Sequence, residues 1–191
     1  MSDIYTAKDF TSLLGLPGFS DVMLTNHFTL YEGYVKNTNL LMEKLDTLES
    51  GTTEYYELKR RLGWEFDGMR MHELYFANMS KETTSPSADS VLEKKIIATW
   101  GSIDAWKESF SKLGMMRGIG WVVLVEDTVS KELFHAWISD HHEGHIIDTK
   151  VLLAMDCWEH AYITDYGIKR ADYIASFMKV IDWSVVEKRL V

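Results

Sequence analysis

Asp156 and His160 stand four residues apart, so on a helix or a helix-like turn both side chains project from one face and reach a single ion. Ordinary surface helices produce this spacing often, and it gains meaning only from partners. His27 falls within the apolar periodicity of residues 20–48, and His72 falls within MRMHELYF at 69–76. Either histidine alone is more often a satisfied core residue than a ligand. Two antiparallel helices joined by a short turn, however, bring inward-facing histidines to one depth, which is how helical bundles build metal sites. Three imidazoles and one carboxylate, with no thiolate, suit iron or manganese, and ligand type alone leaves zinc open. With a single carboxylate in the set, a trivalent ion keeps a high positive charge and attracts an anion.

These residues need elements to hold them. Ser20 to Leu48 carries Val22, Met23, Leu24, Phe28, Tyr31, Val35, Leu40 and Leu41 at helical intervals, which predicts an amphipathic helix. Glu54 to Met79 predicts a second, interrupted at Gly63 and Gly68, and the two form an antiparallel hairpin. SKETTSPSADS at 80–90 is rich in Ser and Thr and marks a junction between a helical hairpin domain, residues 1–85, and a mixed domain, residues 86–191. Val91 to Leu113 is again helical. Three glycines between 114 and 120 precede WVVLV at 121–125; LFHAWI at 133–138 is the returning strand, and VLLAMD at 151–156 follows a loop with three histidines. The chain then ends helically, with a helix over Asp172 to Met178. The expected class is α+β: a helical hairpin, then an α/β half with a small three-stranded antiparallel sheet.

Composition narrows the function classes. A formal charge of -9 argues against a general nucleic-acid binder, which needs clustered Lys and Arg to displace counterions. The one basic cluster, Lys59, Arg60 and Arg61, is short and reads as a solvated helix face. A single cysteine, Cys157, excludes an internal disulfide framework and a thiolate metal knuckle. The first residues, MSDIYTAKDF, lack the apolar core of a secretion signal, and no apolar run approaches bilayer length. A cytoplasmic protein with no membrane partner is expected. A di-iron bundle wants Glu-x-x-His twice on helices, and that spacing occurs here only at Glu132 to His135, in an expected strand.

Motifs along nearly the whole chain resemble the iron and manganese superoxide dismutases. DCWEHAY at 156–162 is the most specific, followed by DYGIKRADYI at 165–174 and VIDWSVV at 180–186. NHFTLYEGYVKNTN at 26–39 and FDGMRMHELYFANM at 66–79 are similar to the family's two metal-binding helices, and GIGWVVLV at 118–125 to its first strand. The resemblance implies one Fe or Mn ion per chain, held by His27, His72, Asp156 and His160 with a solvent molecule in a fifth position. Superoxide would be the substrate, taken to oxygen and peroxide by a metal that alternates between oxidation states.

The same resemblance implies further roles. Tyr34 would stand at the substrate funnel and relay protons. The family bonds the bound solvent through Gln or, in some members, His; the Gln position is Gly68 here, so His141 is expected to take that part, with His142 and His145 as competitors. Trp121 and Trp158 would wall the pocket, Arg170 would support the loop and add positive potential, and Glu159 would reach His160 of the partner subunit in a homodimer. This chain departs from the family in three places: the His27–Tyr34 spacing is one residue shorter, the second gateway residue, commonly His, is replaced by Tyr31 or by nothing equivalent, and Ile163 stands where Tyr is usual. A non-catalytic metal-binding member of the same fold is the alternative these departures leave.

Overall fold

A computed structural model describes residues 4–82 and 85–190. Helix α1, Asp21–Thr47, starts where Ser20 Oγ accepts a hydrogen bond from the Met23 amide at 3.1 Å, satisfying one of the free donors of the first turn. Its buried face carries Met23, Leu24, His27, Tyr31, Tyr34, Val35, Thr38, Leu41 and Leu45, the three- and four-residue spacing of a helix packed on one side. After a tight turn, α2 runs unbroken over Thr53–Ala77, capped by Thr52.

The expected interruptions at Gly63 and Gly68 do not occur. An interior glycine costs a helix about 1 kcal/mol against alanine, but at Gly68 the missing side chain is what lets the helices meet. A Cβ there would lie 2.7 Å from the Tyr34 ring. Close packing between α1 and α2 thus overrides local propensity.

The segment expected as one helix from Val91 to Leu113 is two, α3 at Val91–Trp100 and α4 at Ile103–Gly114. Gly101 adopts φ +87, a left-handed cap that ends α3, and Ser102 caps α4 by accepting from the Ala105 amide. Three strands follow: β1 Gly120–Asp127, β2 Leu133–Ser139 and β3 Thr149–Asp156. They form an antiparallel sheet in the order β2-β1-β3. Central β1 is buried along nearly its whole length, which explains its continuous apolar run.

In this register Trp121 at the start of β1 pairs with Asp156 at the end of β3. The chain then turns through a 3-10 segment, Glu159–Ala161, into α5 Ile163–Tyr166, α6 Arg170–Phe177 and α7 Trp183–Leu190. The expected helix over 172–178 is α6, beginning two residues earlier. Of the two arrangements that the Asp156–His160 spacing allows, a helix or a helix-like turn, the chain adopts the second: Asp156 ends a strand and His160 sits on the 3-10 turn after it. The expected junction at 80–90 includes residues 83 and 84, which lie outside the described residues. No described helix is long and apolar enough to cross a membrane.

Asn78, at the end of α2, joins the hairpin to the sheet. Its amide accepts from the Ala154 N–H at 3.0 Å and donates to the carbonyls of Ala154 and Tyr75. Asn78 is fully buried, so these bonds fix α2, which carries His72, against β3, which carries Asp156.

Candidate metal centre

Four elements each deliver one side chain to a common point. His27 comes from the second turn of α1, His72 from the last turns of α2, Asp156 from the end of β3 and His160 from the 3-10 turn. Asp156 Oδ2 lies 3.2 Å from His27 Nε2, 3.7 Å from His72 Nε2 and 3.0 Å from His160 Nε2. All four candidate ligand atoms fall within 4.8 Å of one another, the separation that ligands around one ion require. His27, His72 and Asp156 are buried, while the side chain of His160 keeps 25% exposure.

Protonation suits a cation. His72 Nδ1 sits 2.6 Å from the Gly68 carbonyl; a carbonyl only accepts, so Nδ1 carries the hydrogen and Nε2 presents its lone pair to the cluster. Burial, and the His27 imidazole beside it, hold His72 well below the usual histidine range, and burial lowers His27 too. For Asp156 burial acts upward, but the imidazoles of His160 and His27 prevail and hold the carboxyl well below the usual carboxylate range. The neutral His27 and His72 rings therefore face an ionised carboxylate. His27 Nε2 and His72 Nε2 are buried without a hydrogen-bond partner, an arrangement that costs free energy unless a cation accepts the lone pairs. An iron or manganese ion fits this donor set.

The remaining Asp156 oxygen, Oδ1, accepts from the Trp158 amide at 2.8 Å, and its backbone carbonyl accepts from Tyr173 Oη at 2.7 Å. Both bonds fix the carboxylate before any ion arrives. Trp121 meets His72 edge-on at 5.0 Å between ring centroids, and Trp158 stacks on His141 at 4.8 Å. Both indoles thus border the cluster.

His141 is fully buried and bonded at both nitrogens. Trp121 Nε1 donates to its Nδ1 at 3.1 Å; an indole only donates, so the ring hydrogen is on Nε2, which lies 2.8 Å from Tyr34 Oη and donates to it. His141 is the loop histidine that meets Tyr34. His145 Nε2 instead donates to the His141 carbonyl at 2.9 Å, and His142 is half-buried beside Gly63.

Burial pushes the His141 imidazole down to about 4 from 6.5. The unfolded chain takes up a proton that the folded one refuses, so this stability is complete above pH 6.5 and is lost as pH falls toward 4. A shift of that size corresponds to about 3 kcal/mol. His141→Gln is therefore expected to flatten the decline in urea midpoint between pH 7 and pH 4.5, and parallel curves for variant and wild type would refute the assignment.

Other expected residues lie further out. Tyr31 is buried, and its hydroxyl accepts from the Lys8 amide at 3.0 Å and donates to Glu73 Oε1 at 3.2 Å. Its hydroxyl is thus committed to Lys8 and Glu73, while its ring lies 6.4 Å from that of His72. Arg170 donates to the carbonyls of Cys157, Met116 and Gly118 at 2.8, 3.1 and 3.2 Å, pinning the turn after β3 to the loop before β1. Glu159 is exposed beside His160, and Ile163 is 52% exposed.

Sequence reasoning overlooked Trp64, whose ring lies 5.3 Å from Tyr34 and 4.8 Å from His141. Its signal was present: it precedes His72 by eight residues, about two helical turns, and so lies toward the same side of α2. Tyr173 was given no role although it lies within DYGIKRADYI at 165–174, because nothing in that motif shows that its hydroxyl reaches the Asp156 carbonyl.

Comparison with known proteins agrees with this architecture. A sequence profile of the iron/manganese superoxide dismutases, C-terminal domain, matches residues 88–189. The chain is 33% identical over 172 residues to superoxide dismutase [Mn] 2 of Haloferax volcanii, covering 87% of this chain and 84% of that protein. It is 30% identical over 177 residues to superoxide dismutase [Fe] of Pyrobaculum aerophilum, covering 90% and 83%. Superoxide dismutase [Fe] of Aquifex pyrophilus is 32% identical over 191 residues, covering 95% and 89%. With a matched profile over more than half its length and relatives aligned over most of it, the chain belongs to the iron/manganese superoxide dismutase family.

Proposed function

We propose that this protein disproportionates superoxide at one iron or manganese ion per chain, held by His27, His72, Asp156 and His160. The observation that carries the reading is the convergence of three imidazole nitrogens on one ionised carboxylate oxygen, two of them buried and unpartnered. When bound, such an ion supplies one-electron chemistry, alternating between trivalent and divalent states as successive superoxide anions give up and accept an electron.

The chain's own residues manage protons and water. His141 donates through Nε2 to Tyr34 Oη, so the phenol's own hydrogen is directed elsewhere and is available to a reduced oxygen species in the pocket. Burial raises the Tyr34 phenol well above 10, which keeps that hydrogen in place until a stronger base arrives. Trp121 and Trp158 exclude bulk water from the same space. The non-catalytic alternative draws on one observation, that Tyr31 is committed to Lys8 and Glu73 and leaves the second gateway position without a polar group.

Reconstitution separates the two readings. Elemental analysis of the purified protein, with activity measured after loading with each metal in turn, is expected to give one ion per chain and turnover with at least one metal. Full loading with no turnover under either metal would favour the alternative.

A homodimer belongs to the same proposal, supported by the exposure of Glu159 and Ile163 next to His160. So does a cytoplasmic setting, supported by the single buried thiol of Cys157, and a division into domains at residues 85 and 86.

A further inference from the structure

A chain of charge -9 repels an anionic substrate at long range, so positive potential must be supplied near the site. Arg170 keeps its charge but has both terminal nitrogens engaged by backbone carbonyls, so it offers no open fork on which an anion can dock. Arg61 keeps part of its guanidinium open to solvent, with a side chain 48% exposed. Its guanidinium lies over the Trp64 ring, 3.7 Å from the centroid, and Trp64 in turn packs on Tyr34 and His141.

The guanidinium is held firmly. Nε and Nη2 contact Glu65 Oε1 at 2.9 and 2.8 Å, and stacking on the indole fixes its plane. The Arg61 side chain is 48% exposed while that of Glu65 is 5% exposed. The ion pair is therefore a dipole with its positive end toward solvent, and Nη1 has no hydrogen-bond partner among the described residues. A fork with fixed orientation and spare N–H groups is a site for a small anion.

We propose that Arg61, laid on Trp64, is an anion-docking group at the mouth of the site, holding a small monoanion before it passes to the Tyr34–His141 pair. Superoxide is the monoanion in the reaction, so this part rests on the function proposed above. The docking group itself can be probed without turnover.

Iodide quenches indole emission on contact, as neutral acrylamide also does, and the difference between the native protein and Trp64→Phe isolates the emission of Trp64. In metal-free and metal-loaded protein, the ratio of iodide to acrylamide quenching at Trp64 is expected to fall about threefold in Arg61→Gln, with Arg61→Lys in between. In loaded protein at low ionic strength, kcat/KM for superoxide is expected to fall about three- to tenfold in Arg61→Gln and to lose most of its salt dependence. If Arg61→Gln is unstable because Glu65 loses its partner, Arg61→Gln/Glu65→Gln keeps the pair neutral and is read the same way.

A quenching ratio unaffected by these substitutions overturns the docking group. An unchanged salt dependence overturns its part in the reaction. Absence of turnover in the loaded native protein refutes the superoxide reading instead, and the iodide ratio still decides Arg61.

Discussion

Asp156→Asn is expected to abolish metal retention and lower superoxide turnover by at least about a thousandfold, the largest effect of any single change in this protein. The amide is isosteric and its oxygen can still accept from the Trp158 amide, so the fold survives. What disappears is the one negative charge among the four candidate ligands. Three neutral imidazoles and a neutral amide leave a trivalent ion uncompensated in a buried pocket, where charge is costly.

Metal content by elemental analysis checks the first part. Thermal unfolding checks the second: a tightly bound ion at about a thousand times its dissociation constant stabilises a fold by about 4 kcal/mol, and the variant should show no such metal-dependent rise in Tm. Normal metal content in Asp156→Asn would place the ion elsewhere.

The next largest effect is expected at His141. His141→Ala leaves the Trp121 N–H and the Tyr34 hydroxyl without their partner in a fully buried place and frees the phenol ring to move. Turnover should fall about a hundredfold through lost proton delivery, while the metal stays, because His141 is not among the four converging groups.

His141→Gln is the diagnostic partner. Glutamine offers an oxygen to Trp121 and an N–H to Tyr34, reproducing the donor and acceptor pattern of the histidine, and should recover most of the lost rate. Tyr34→Phe should act in the same direction as His141→Ala by removing the hydrogen that the pair presents. Rates in steady state with metal content measured on the same samples decide the matter. Equal losses in His141→Gln and His141→Ala would show that bulk packing rather than the hydrogen-bond chain is at issue.

How far the chain announced this arrangement varies by residue. The buried face of α1 was legible because helix packing repeats at three and four residues, and His27 falls within that repeat. His72 was legible for the same reason. Asp156 and His160 were paired through a spacing that allowed a helix or a helix-like turn: register with Trp121 ends β3 at Asp156, and the 3-10 turn after it returns His160 to the same oxygen.

Gly63 and Gly68 misled because propensity is local, whereas the fit of the Tyr34 ring against Gly68 depends on a residue 34 positions earlier in the chain. Gly101 followed by Ser102 was a readable stop and cap, hidden within an otherwise helical run. Tyr31 was considered for the gateway from position alone; that its hydroxyl is bonded by the Lys8 amide and to Glu73 depends on the N-terminal segment, which no local spacing reports. Arg61 read as a solvated face residue, and its stacking on Trp64 is a tertiary fact that no spacing rule reports.

The most direct test is an anomalous-scattering map from crystals of protein loaded with iron or manganese. One peak per chain is expected, roughly 2 Å from the Nε2 atoms of His27, His72 and His160 and from an Asp156 carboxylate oxygen. A peak bound by other residues, or none between these four in protein shown by elemental analysis to carry its metal, would contradict it.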